Sequence, residues 1–429
     1  MPLKSLHPQS FGEDLNQTRL IQAPVVADAF EIHSPGALLV RGQTVLAVGA
    51  PESIGQPLEA SLVRCPGHLI CPALVNAHSH LDLSDLSGIQ ERAFGPWLAE
   101  VIRHRRAQET PGAVEKAVSI GVSQSISGGS MAVGDICGSN RAFEAVSSSD
   151  LGGVAFLEFL GHGDRADMAV EDLRSWVAGF DQSTKKDGPG PKPGLSPHAP
   201  YSTSQAIYAE AGKMGLPVST HLAESLEELE WCREHSGIFA ELNTKMGAEP
   251  RSGPADGRHP VDGYVDLLPS NRGLAVHLNY IEPHHLPPLQ RSGVTVVYCP
   301  RASAFFGHPH GEAPQHSWRA MRAAGIPVAL GTDGRPCLLP QGLAAGRLSI
   351  LDEVLHLQRT SAIKLDEWLP MATVDGARAL GVPEALVCFK PGARPGILAL
   401  KLASIGKHRL DERAAIQWIS TTPQGFLSE

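Results

Sequence analysis

No apolar run in this chain approaches the roughly 20 residues that a membrane helix needs, so no segment reads as membrane-spanning. The opening stretch, MPLKSLHPQSFGEDLNQ, has no apolar core of the kind a secretory leader carries. Basic residues are outnumbered, 36 Lys and Arg against 45 Asp and Glu, for a net charge of −9. That balance argues against non-specific nucleic-acid binding, which rests on a basic footprint. The seven cysteines are scattered and never spaced as CxxC. They form neither a disulfide framework nor a thiolate zinc site. A cytoplasmic protein acting on a small molecule is the expectation, and a homodimer is left open.

What is abundant is histidine, 19 of 429 residues. Length alone suits a barrel-sized domain with an accessory one. From Leu20 to about Arg64, short alternating apolar runs broken by Gly and Pro read as small antiparallel strands, and GILALKLASIG near the C-terminus has the same character. The two ends are therefore expected to build one composite β-sandwich from residues 1–68 and 385–429. Between them, over 69–384, apolar strand-like runs end near Ala77, Ile136, Leu160, Ala199, Leu222, Leu278, Cys299 and Thr332, with helix-like stretches such as ESLEELEWCREH and GLAAGRLSILDEVLHLQR between them. Eight βα units predict an α/β fold of the (β/α)8 barrel type, with active residues at the C-terminal strand ends. A doubly wound sheet would need a glycine-rich phosphate loop after its first strand, and NAHSHLDLS is not one. The stretches 181–194 and 243–260 read as loops, the second as a lid or partly disordered.

The strand ends carry the chemistry. His78 and His80 sit one residue apart and share a strand face. His221 closes the fifth strand with Glu224 three residues on, His277 closes the sixth, and Asp333 closes the eighth. A lone strand histidine is more often a hydrogen-bonded core residue than a ligand. Four strand ends in one barrel mouth are another matter. Three imidazoles and a carboxylate suit one divalent ion, zinc first and iron second. Such an ion makes a water reactive near neutral pH, and Glu224 is placed to move its proton. His308, His310 and His316 read as loop residues, with lining of the mouth as the alternative.

The order HxH, HxxE, H and GTD resembles the amidohydrolase superfamily. The stretches CPALVNAHSHLDLS, FGPWL, SPHAPYSTS, THLAESLEE and VVYCPRASAFFGHP are similar to the branch of S-adenosylhomocysteine/methylthioadenosine deaminases, aminodeoxyfutalosine deaminases and triazine hydrolases. The resemblance implies His78, His80, His221 and Asp333 as metal ligands. It implies Glu224 as acid/base, His277 and Asp333 as water-aligning catalytic groups, and Trp97 and His198 as substrate contacts. It also implies a single ion, because two-metal relatives carry a lysine at the end of the fourth strand. Here that end reads GLSPHAP, and Lys192 lies at the other end of the strand. The implied activity is hydrolytic deamination of an adenosine-like nucleoside, in which metal-activated water attacks the amine-bearing ring carbon and ammonia leaves. Chlorotriazine or cyclic-amide hydrolysis, or a non-catalytic scaffold, are the alternatives. After GTD the chain reads GRPCLLPQG, where many relatives carry Ser or Asn.

Overall fold

The computed structural model describes residues 17–86, 89–90, 92–108, 110–183, 190–247, 257–309, 315–338, 346–403, 408–411 and 416–420. Its centre is a nine-segment parallel sheet. The strands run Leu74–His80, Ser130–Cys137, Gly152–Phe159, Lys192–Pro197, Val218–Leu222, Gly273–His277 and Thr295–Tyr298. The eighth is broken into Val328–Leu330 and Asp333–Gly334. Its first piece pairs with the seventh strand and its second with the first strand, so the sheet curls back on itself. Each strand neighbour is parallel. This is a TIM-like barrel, and its strand ends fall where the apolar runs stop.

Asn76 fastens the first and eighth strands. Its Nδ2 donates to Thr332 Oγ1 at 2.9 Å, and its Oδ1 accepts from the Thr332 amide at 3.1 Å. The glycine of GTD has a steric reason: a methyl group on Gly331 would lie 2.8 Å from the Cβ of His78. A side chain there would push the histidine out of place.

Strands from both chain ends make two further sheets. Residues 44–49, 36–41, 18–23 and 61–64 form one, while 416–420, 397–401, 68–72, 25–27 and 32–33 form the other. In the second, Ile397–Lys401 lies antiparallel to His68–Pro72, the strand just before the barrel. Ile21, Leu38 and Val45 of the first sheet share a buried apolar cluster with Val26, Ile70 and Ile397 of the second.

The loop boundaries shift. Residues 181–194 are trimmed from both sides, by a helix reaching Ser183 and by the fourth strand opening at Lys192. Lys192 is at the N-terminal end, across the barrel from the other strand ends. In 243–260, the helix Gly237–Met246 extends into the stretch and Pro260 opens the next helix, while 248–256 lie outside the described residues. Of the helix expected across 342–359, residues 342–345 lie outside the described residues, 346–349 are not helical, and the helix runs Ile350–Thr360. Ser349 caps it by accepting from the Asp352 amide, and Gly346 before it has φ +68, a left-handed conformation that helices do not continue through.

The motif CPRASAFFGHP has a structural role. Arg301, on the helix after the seventh strand, donates Nε to Glu353 Oε1 at 2.6 Å, its amide donates to Glu353 Oε2, and Nη2 donates to the Arg347 carbonyl. Glu353 is fully buried, on the helix after the eighth strand. Arg301→Met strands that carboxylate and is expected to cost about 3–5 kcal/mol. A drop in the urea midpoint checks this; an unchanged midpoint contradicts it.

Candidate metal centre

The mouth of the barrel gathers the histidines. His80 Nε2 lies 3.3 Å from His221 Nε2. Asp333 Oδ1 lies 3.5 Å from His78 Nε2 and 3.4 Å from His80 Nε2. Ligand atoms on a tetrahedral ion with 2.0–2.1 Å bonds lie about 3.3–3.4 Å apart, so the set has the spacing an ion requires. The donor chemistry agrees. Both ring nitrogens of His78 are buried with no hydrogen-bond partner, a costly state unless a ligand takes one of them. These four residues group as a candidate metal site.

Backbone and neighbours aim the candidate ligands. Asp333 has φ +60 and His277 φ +74, left-handed conformations that are uncommon for such residues and concentrate at functional sites. The Gly334 amide donates to Asp333 Oδ1 at 2.8 Å, and the Cys337 thiol lies 3.3 Å from Oδ2. His221 Nδ1 donates to the His198 carbonyl at 2.9 Å. That bond fixes the tautomer and leaves the Nε2 lone pair for an ion.

Protonation is set by burial. It holds the imidazoles of His80 and His221 well below the ordinary range, with neighbouring histidines adding to the effect. Burial works against ionising Asp333, but its contact with His78, and its neighbours His277 and His80, outweigh it and hold the carboxyl well below the usual range. Neutral imidazoles beside an ionised carboxylate are the state that binds metal without competing protons.

Glu224 is the opposite case. Burial, then the nearby charge of Asp333, push its carboxyl well above the usual range. Its Oε1 lies 3.5 Å from His277 Nε2. The His277 ring is pushed down to about 3, mainly by burial. Glu224 stands in a turn shaped by Glu228, whose carboxylate accepts from the amides of Ala223 and Glu224 at 2.8 Å each. Ser225 caps the next helix by accepting from the Glu228 amide. The sequence SLEE thus supplies a serine-capped helix start whose Glu228 side chain holds the Glu224 backbone in place. His316 is buried behind this group. Its Nδ1 accepts from the Trp318 amide, so its Nε2 donates to the His277 carbonyl at 2.7 Å. It braces the sixth strand end. His308 lies against Tyr280, its Nδ1 2.8 Å from the hydroxyl, and His310 lies outside the described residues.

A cavity of about 460 Å³, open mouth included, leads to the cluster. Trp97 and His198 both line it, as do His80, His221, Glu224 and Asp333. Trp97 Nε1 donates to the Pro336 carbonyl at 3.5 Å, so the stretch after GTD positions this wall. His198 Nδ1 lies 2.6 Å from Ser202 Oγ.

Beside the candidate ligands lies a largely buried charged network that no motif announces. Arg105 Nη1 donates to Glu158 at 3.0 Å, and Nη2 lies 3.3 Å from Asp82. Glu158 Oε1 lies 3.7 Å from His198 Nε2. A lone glutamate inside the apolar run GVAFLEFLG, and Asp82 two residues after His80, were the available signals; Arg105, within RHRRA, gave none. A second grouping, Asp262, His284 and His285, does not suit a metal. His285 Nδ1 accepts from the Glu282 amide at 2.9 Å. Its neutral ring must then carry the proton on Nε2, the nitrogen 3.6 Å from Asp262, and no lone pair is left for an ion.

A barrel with imidazoles and a carboxylate converging at its C-terminal rim defines a metal-dependent hydrolase. The chain belongs to the amidohydrolase family, whose sequence profile matches residues 69–423. It is 32% identical over 323 residues to the aminodeoxyfutalosine deaminase of Deinococcus radiodurans, covering 70% of this chain and 72% of that one. It is 26% identical over 378 residues to the 5-methylthioadenosine/S-adenosylhomocysteine deaminase of Pyrococcus furiosus, covering 85% and 83%. The fold is similar to that of the Helicobacter pylori aminofutalosine deaminase solved with methylthio-coformycin. The TM-score is 0.71 at 21% identity, covering 92% of this chain and 94% of that one. No helix among the described residues is long and apolar enough to cross a membrane.

Proposed function

We propose that the protein hydrolytically deaminates an adenosine-like nucleoside of the aminodeoxyfutalosine, methylthioadenosine or S-adenosylhomocysteine type. One observation carries this most: His78, His80, His221 and Asp333 converge on one rim, with contacts of 3.3–3.5 Å among them, and Glu224, whose carboxyl is pushed the opposite way from that of Asp333, stands 3.5 Å from His277 beside them. Paired groups with separated acidities are how a site divides acid and ligand roles at one pH. His78, His80, His221 and Asp333 would hold one divalent ion, zinc first and iron second. When bound, it supplies a Lewis acid that makes water reactive at neutral pH.

The chain's own residues do the rest. Glu224 holds a proton at its carboxyl and delivers it to the ring nitrogen next to the amine-bearing carbon. Neutral His277 and ionised Asp333 align the attacking water; of its two protons, one passes to the amine as it leaves and the other returns to the Glu224 carboxylate. The balance is one water consumed and one ammonia released, with the ring carbon left as a carbonyl. Trp97 supplies a flat wall for the substrate, and His198 faces it from the fourth strand. We read the two small sheets as leaves of a composite sandwich built from 1–68 and 385–429 beside a barrel of 69–384.

The test is direct. Metal-replete protein is incubated with aminodeoxyfutalosine, methylthioadenosine, S-adenosylhomocysteine, adenosine, guanine and a chlorotriazine, following ammonia and ultraviolet spectra. Ammonia from the adenine nucleosides is expected; chloride release from the triazine without it points to the other hydrolase chemistry. Elemental analysis is expected to give one metal equivalent per chain, and two tightly held equivalents would contradict the single site.

A further inference from the structure

From the lining of the cavity we infer that the group carried on the substrate's ribose is apolar, an alkylthio or aryl substituent, in place of a zwitterionic amino-acid tail. The inference rests on the nucleoside-deaminase reading and narrows it. The reacting ring is held at the end of the cavity where His80, His221, Glu224 and Asp333 stand. The remainder of the lining is dominated by Leu83, Phe94, Trp97, Leu98, Val101 and Tyr201. Four of these, Phe94, Trp97, Leu98 and Val101, come from one helix, Phe94–Ala107, laid across the mouth.

That wall is firmly built. Phe94 packs on Trp97, Tyr201, Phe239 and Phe306, with ring centroids 5.3–6.3 Å apart. Tyr201 stacks on Phe239 at 3.8 Å. An apolar substituent gains from burial against such a surface. A charged tail must find partners there, and the described lining offers one guanidinium, Arg105. Its two terminal nitrogens are engaged by Glu158 at 3.0 Å and Asp82 at 3.3 Å, and its Nε is buried. Two buried carboxylates already share that single cation. An incoming carboxylate would compete with both, and an incoming ammonium would meet an apolar wall. Burying either charge unpaired is expensive.

The experiment compares kcat/KM of the metal-replete enzyme on 5′-methylthioadenosine, 5′-phenylthio-5′-deoxyadenosine, adenosine and S-adenosylhomocysteine. The two uncharged thioethers are expected to exceed S-adenosylhomocysteine by roughly 10- to 100-fold. Trp97→Ala should lower kcat/KM on the phenylthio compound by about 10-fold and on adenosine much less. Metal content and circular dichroism of that variant report its folding, and the wild-type comparison decides without it. Equal or higher kcat/KM on S-adenosylhomocysteine overturns the inference and leaves the deaminase reading standing. Absence of ammonia from all four compounds overturns the inference, and absence from aminodeoxyfutalosine as well overturns the deaminase reading with it.

Discussion

Glu224→Gln is expected to lower kcat by about 10² to 10⁴ while metal content and thermal midpoint stay near wild type. The amide keeps the shape of the side chain in its buried place between His277 and the Glu228 turn. It cannot give up a proton to a ring nitrogen as a carboxylic acid does. Burial pushes this carboxyl towards its protonated form, so the substitution removes the acidity while keeping a neutral side chain of the same shape. KM should move far less than kcat, because the proton is needed in the transition state. Near-normal kcat in the variant would remove Glu224 from the chemistry.

His80→Ala is expected to fail at an earlier stage. Its Nε2 touches both His221 and Asp333 at 3.3–3.4 Å, so its loss opens one corner of the ligand set. Metal content should fall well below one equivalent, and activity with it, with partial recovery only at high added zinc. The contrast between the two variants is diagnostic. One keeps its ion and is slow; the other is slow because it has lost the ion. Full metal retention by His80→Ala would exclude it as a ligand.

Much of this was legible from residue types at strand ends. A histidine or aspartate closing an apolar run is visible in sequence because the barrel places every such end on one rim. HxH, HxxE and GTD mark it because strand periodicity and the steric demand at Gly331 act locally. Arg105 was invisible: it is one charge among several on a helix, and only packing selects it. Glu158 was half visible, as a charge inside an apolar strand whose partner lies 53 residues away. His316 lies in a loop, as its sequence context suggested, but its work, bonding to the His277 carbonyl, was hidden because it depends on a return of the chain over 39 residues. The helix start at Ile350 was hidden because its capping serine, Ser349, sits inside a stretch rich in helix-forming residues.

The broken eighth strand has a consequence for assembly of the fold. His78 and His80 end the first barrel strand, and Asp333 opens the segment that pairs with it. An ion held by these residues is a rivet through the last join of the ring, linking parts of the chain some 250 residues apart in sequence, as Asn76 and Thr332 are. Its binding energy therefore adds to the stability of the closed form alone. Chelation should loosen that join first, with amide exchange accelerating in the first and eighth strands before the third or fourth.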